Sequence, residues 1–259
     1  MKLKPKSENR IYFIDELRGL AVLCMIFYHA FYLFGAFFDW QWANELFYFF
    51  TPVQPIFAGI FIFICGMSCT LSKSNLKRGI ILLGIALGFT VVTTLIMPAL
   101  GFVECEVYFG ILHFLAVSVL LYVLISKGVG RIPPFAGILA CTVLYAFTSG
   151  IDSGVLSFGE LISFTLSDSL YESNALMILG IHSPDFYAAD YFPLFPQIFI
   201  FFAGVFTGIQ LSTRGYPEWC KERRTAFFAF LGRNTLLIYV VHMPVIYALG
   251  YVIYMIVNQ

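Results

Sequence analysis

Residues 10–38 read RIYFIDELRGLAVLCMIFYHAFYLFGAFF, and the distribution of charge along them decides the fold class. A polar cluster, Asp15, Glu16 and Arg18, leads into an apolar run long enough to cross a bilayer, interrupted by one strongly polar side chain, His29. Arg18 and His29 are eleven residues apart. Eleven steps of about 100° make about three full turns, so the two share one helix face, about 16 Å apart along the axis. That face carries a cation at one end and a titratable base near its middle. Lipid-facing charge is costly, so the plain structural alternative is an arginine that snorkels to a headgroup and a histidine bonded to a neighbouring helix.

Working outward, the composition matches this stretch. The 259 residues are 60% apolar, 19% aromatic and 12% charged, and the mean hydropathy is +0.86. Such a chain reads as a polytopic α-helical membrane protein and not as a soluble or nucleic-acid-binding domain. The six cysteines, at 24, 65, 69, 105, 141 and 220, contain no CxxC pair, so no disulfide framework and no metal site is expected. The basic residues before Arg10 precede an apolar run too long for a signal-peptide core, so the first span is expected to be retained.

Further uncharged apolar runs lie at about Leu46–Leu71, Gly79–Val103, Val107–Ser126, Ile132–Ile151, Tyr191–Thr213 and Thr235–Val257. With the first stretch they predict an all-α bundle of seven transmembrane helices. If the N-terminus is cytoplasmic, all fifteen Lys and Arg residues fall on cytoplasmic connections or just inside that boundary, Lys2, Lys4 and Lys6 among them. Ten of the fifteen acids, Glu104 included, fall outside. The expected orientation is therefore N-terminus in and C-terminus out. The whole chain, 1–259, reads as a single transmembrane domain, with the long connection Asp152–Asp190 as an external, partly helical cap. Gly59, Gly66, Gly84, Gly88, Gly204 and Gly208 allow close helix approach, which serves internal packing and a homodimer alike.

Polar residues inside the spans carry any chemistry. His29, His113 and His242 fall between the expected midplane and the outer surface, and a neutral imidazole is a natural general base. Arg18, Lys77, Arg78 and Arg233 gather at the expected inner rim. The planar fork of arginine suits phosphate, while cations at helix ends also serve as topology determinants. Gly232 to Thr235 reads as a helix break followed by an N-capped restart, which would turn backbone N–H groups toward an anion.

Five motifs in order, RIYFIDELRGLAVLCMIFYH, FIFICGMS, FGILHFLAVS, DYFPLFPQIFIFFAGVFTG and FLGRNTLLIYVVHMPV, resemble those of the heparan-α-glucosaminide N-acetyltransferase catalytic-domain family, particularly its short bacterial members. The resemblance spans roughly Arg10 to Val245. It implies a multi-pass protein of the bacterial inner membrane that binds acetyl-CoA from the cytoplasm. The acetyl group would pass to an amine or hydroxyl of an extracytoplasmic sugar or glycan. Carried over, it makes Arg18, Arg78 and Arg233, with Lys77 as a weaker candidate, ligands of the CoA phosphates. His29, His113 and His242 become candidates for proton handling, and Asp190 and Tyr191 candidates for holding the acceptor. The animal enzyme's catalytic histidine lies in the loop after the first span, where this chain has Phe38, Asp39, Trp40 and Gln41, so the resemblance implies either that the base is one of the three intramembrane histidines or that the reaction differs. The expected mechanism is direct transfer with His29 as base, or transfer through an acetyl-histidine intermediate. The competing class is a carrier or exporter of an anionic metabolite or lipid, in which the arginines bind phosphate and the histidines relay protons.

Overall fold

The computed structural model describes residues 10–102 and 105–257. Lys2, Lys4, Lys6 and Glu104, counted in the charge asymmetry, lie outside the described residues. The elements run α1 (Tyr12–Phe38), α2 (Gln41–Phe50), α3 (Gln54–Cys69), α4 (Asn75–Val91), a π-helical turn at Val92–Ile96, α5 (Met97–Ala99), α6 (Ile111–Val129) and α7 (Pro134–Thr148). There follow β1 (Val155–Phe158), β2 (Ile162–Thr165), α8 (Gln197–Arg214), α9 (Glu218–Lys221), α10 (Ala226–Arg233) and α11 (Thr235–Val257).

Among the described residues, five helical stretches are long and apolar enough to cross a bilayer: Tyr12–Phe38, Asn75–Ala99, Ile111–Val129, Pro134–Ser153 and Thr235–Val257. The pair α2 and α3, bent by 58°, makes a sixth if it is one broken span. Pro52 and Pro55 flank that bend, and proline cannot supply the N–H that a continuous helix needs. At the sixth expected span, α8 begins at Gln197 and not at Tyr191, because Pro193 and Pro196 disfavour helix in the segment before it, which runs through a bend and a turn. Carrying Gln197, Gln210 and Arg214 within 18 residues, α8 is not among the five. The structure is thus a mostly helical, multi-pass membrane protein.

The region after α7 departs from an all-α reading. There β1 and β2 pair antiparallel, Val155 opposite Thr165 and Phe158 opposite Ile162. The cause is local: β-branched and aromatic residues flank a turn at which Gly159 takes φ 57°, a left-handed conformation that glycine adopts without steric cost. Short 3-10 turns at Asp168–Tyr171 and Met177–Leu179 supply the helical part expected of this segment.

The chain divides into two compact units, Met1–Ile64 with Gly215–Gln259, and Cys65–Arg214. In the first unit, α1 and α10 cross at backbone contact: a Cβ on Gly19 would overlap the Phe228 carbonyl, and one on Gly232 would overlap the Asp15 carbonyl. Glu16 Oε1 locks the crossing by accepting from the N–H groups of Arg224 and Thr225, 2.8 Å each, where α10 begins. Farther along α1, Leu33 and Phe38 pack on Ile246 of α11, with Trp40, Met243 and Tyr247 against them. In the second unit, Gly66 lies on the Phe201 carbonyl and Gly208 on Met67 and Thr70, as the small-residue pattern predicts. Gly84 and Gly88 touch nothing within 4 Å.

Candidate functional site

The first unit brings His29 and His242 together. Their ring centroids are 5.0 Å apart at an interplanar angle of 73°, one ring's edge toward the other's face. His242, 6% exposed, directs Nδ1 to the Tyr239 carbonyl at 2.6 Å. A carbonyl only accepts, so Nδ1 carries the proton and Nε2 keeps a lone pair. That Nε2 is buried without a hydrogen-bond partner. His29 Nδ1 lies 3.4 Å from the thioether Sδ of Met243, also an acceptor only. Both rings thus turn Nδ1 to an acceptor, and at His242 the Nε2 lone pair is left without a partner.

About three turns back along α1, Arg18 Nη1 reaches the Gly232 carbonyl at 3.3 Å and Asp15 Oδ1 at 3.5 Å. Asp15 is shared, its other oxygen holding Arg10 Nε at 2.7 Å. Arg233, next in sequence to Gly232, is exposed and turns Nε onto the Ala229 carbonyl at 3.1 Å. The helix does break at Asn234, with φ −106° and ψ 17°. Contrary to the expected N-cap, the Asn234 amide donates backward to the Phe230 carbonyl at 2.8 Å and Thr235 Oγ1 donates to Gly232 at 2.9 Å. The side chains there finish α10 instead of opening α11. The α10 carbonyls near the break would otherwise be orphaned, and satisfying them takes precedence.

His113 belongs to the second unit and has a different environment. It is the third residue of α6, and its Nδ1 accepts from the Gly110 N–H at 3.3 Å, the side-chain half of a capping box. The proton is thereby on Nε2, which donates to Thr90 Oγ1 at 3.0 Å, and Thr90 donates on to the Val107 carbonyl at 2.9 Å. Both nitrogens are occupied. Asp190 Oδ2 accepts from the Ile111 N–H at 3.1 Å, capping the same helix end, and a Cβ on Gly110 would collide with that carboxylate. Tyr191 donates from its hydroxyl to the Met177 carbonyl at 2.6 Å and meets the rings of His182 and Phe186. Burial, and then the charge of Asp152, push the Tyr191 phenol up to about 12. Arg78, also in this unit, donates to Cys65 Sγ at 2.8 Å, while Lys77 is exposed.

Sequence reasoning passed over Thr90 and Met243, which contact His113 and His29. For His113 a signal existed. Gly110 stands three residues before it, the spacing of a capping box.

Fold and site together define a multi-pass helical membrane protein with a half-buried His29 against a buried His242 in one unit. The chain matches the family described as "Heparan-alpha-glucosaminide N-acetyltransferase, catalytic" over residues 10–244, and it belongs to that family. Membership indicates a membrane acetyltransferase. Compared with the curated proteins and with the solved structures, the chain finds no significant match in either.

Proposed function

We propose that this protein takes an acetyl group from acetyl-CoA on the cytoplasmic side and transfers it to an amine or hydroxyl of an extracytoplasmic sugar or glycan. The reading keeps the seven-span bundle, N-terminus in and C-terminus out, in a bacterial inner membrane, with all of 1–259 as one catalytic domain. The observation that carries it is the His29–His242 pair, whose Nε2 lone pairs lie in the unit that also holds Arg18 and Arg233.

In the proposed reaction the acceptor nucleophile attacks the thioester carbonyl, the C–S bond breaks, and CoA leaves as its thiolate. His29 Nε2 takes the proton released by the nucleophile. Where the nucleophile is an amine, His242 Nε2 accepts from its second N–H and orients the attack, which gives the unpartnered nitrogen a donor; a hydroxyl gives its single hydrogen to His29. Arg18 and Arg233 hold the CoA phosphates through paired charge-assisted hydrogen bonds, with Arg78 and Lys77 assigned to the same task on the family pattern. His113 keeps to its helix cap. Asp190 and Tyr191 serve the acceptor, Asp190 from the start of α6 and Tyr191 from its bond to the Met177 carbonyl.

Purified protein incubated with labelled acetyl-CoA and a panel of amino sugars and lipid-linked glycans tests this. Free CoA should appear in proportion to acetylated product. Label that crosses proteoliposomes without thioester cleavage would mean a carrier.

A further inference from the structure

We infer that Met243 is a positioning residue for His29: its thioether fixes which imidazole nitrogen carries the proton. The inference rests on the reading of His29 as the base. A general base must present a lone pair where the nucleophile's proton will be, and a neutral imidazole has one lone pair on one of two nitrogens. The nitrogen that stays bare is decided by the hydrogen bond at the other. At His29 that other contact is Nδ1 to Met243 Sδ, 3.4 Å, within the range for sulfur acceptors. Sulfur in a thioether has no hydrogen to donate, so the contact favours the Nδ1–H form and leaves the lone pair on Nε2.

The second imidazole is set the same way by different chemistry. His242 Nδ1 donates to the Tyr239 carbonyl at 2.6 Å, and its Nε2 is bare. Met243 directly follows His242 on α11, so one turn of helix orients both rings of the pair. A backbone carbonyl is a strong, immovable acceptor and a thioether a weak, replaceable one, so the His29 half is the one a side-chain substitution can reset. Packing alone does not require sulfur here. Met243 lies against Leu33, Phe38 and Ile246, a setting that a leucine fills with almost the same volume.

The test reads the tautomer directly and needs no acceptor substrate. Full-length protein labelled with ¹⁵N-histidine is reconstituted in lipid nanodiscs, and the His29 signals are assigned by their loss in His29→Ala. In the wild type, Nδ1 should be the protonated, pyrrole-type nitrogen and Nε2 the pyridine-type one. Met243→Leu should shift the population toward Nε2–H, the form free histidine favours. Met243→Gln, whose amide oxygen can again accept, should restore the wild-type pattern. A wild-type spectrum showing Nε2–H at His29 would overturn the proposal without any variant, and so would a Met243→Leu spectrum identical to wild type. Normal turnover in His29→Ala would instead remove the base assignment while leaving the tautomer result standing.

Discussion

His113 and His242 are almost equally buried, 5% and 6% exposed, yet the two units use them in opposite ways. In the second unit every hydrogen-bonding position of His113 is taken, by Gly110 on one side and Thr90 on the other. In the first unit His242 spends one nitrogen on its own helix and leaves the other bare in the interior, against a second histidine. Burying an unsatisfied polar atom costs about 1–3 kcal/mol, so a fold that keeps one has a use for it or a ligand to fill it. Between these two histidines the difference lies in unused hydrogen-bonding capacity and not in burial.

The harshest way to break this contrast is to remove each imidazole in turn. His29→Ala should lower turnover by about 10²–10⁴ while acetyl-CoA binding persists. His113→Ala should instead lower stability by about 1–3 kcal/mol, as Gly110 N–H loses its acceptor, with turnover per folded molecule retained. Thermal melts run beside CoA-release assays distinguish the two, and exchanged phenotypes would reverse the assignment.

Arg18 sharpens the picture of the first unit. Arg18→Ala should weaken acetyl-CoA binding about ten- to a hundred-fold, equivalent to roughly 1.5–3 kcal/mol for a lost charge-assisted contact. Titration calorimetry in detergent measures this directly. Unchanged affinity would make Arg18 a structural residue, tied to Asp15 and Gly232.

A smaller effect is expected at the second unit's helix cap. Asp190→Ala should cost about 0.5–2 kcal/mol, the usual loss for an N-terminal cap, whereas Asp190→Asn should be nearly neutral because asparagine also caps. Loss of acceptor use in the Asn variant, with its melting temperature intact, would show that the carboxylate contacts substrate.

The smallest effect is a pH dependence. Tyr191 is pushed up to about 12 from the ordinary value near 10, so the fold favours its neutral phenol. Its stabilising contribution is complete below about pH 10 and is lost as pH rises toward about 12. Melting temperatures across that window should fall less steeply in Tyr191→Phe than in the wild type, and equal slopes would detach Tyr191 from the cap.

The membrane class and most helix positions were legible in the sequence because they depend on local composition. A run of about twenty apolar residues has to satisfy its backbone within itself, whatever surrounds it. The break near Asn234 was legible for a related reason, since Gly232 and Asn234 are weak helix formers in an otherwise helical stretch. The family was legible because its motifs are contiguous strings. The late start of α8 and the β1–β2 hairpin also had local causes, in Pro193, Pro196 and Gly159, but their effect was outweighed by the apolarity around them.

Tertiary structure decided which polar residues have capacity left over. His113 is filled by Thr90, 23 residues away, and His29 meets Met243 at a separation of 214. Asp190 reaches Ile111 across 79 residues. Hydrogen bonds at such separations depend on how helices cross, and the crossing of α1 and α10 depends on two glycines whose missing Cβ atoms become visible only when the backbones touch. Hydropathy fixes how deep a side chain sits, because depth is a property of one helix in a bilayer. Which atom it faces is a property of two helices, and it is written in neither alone.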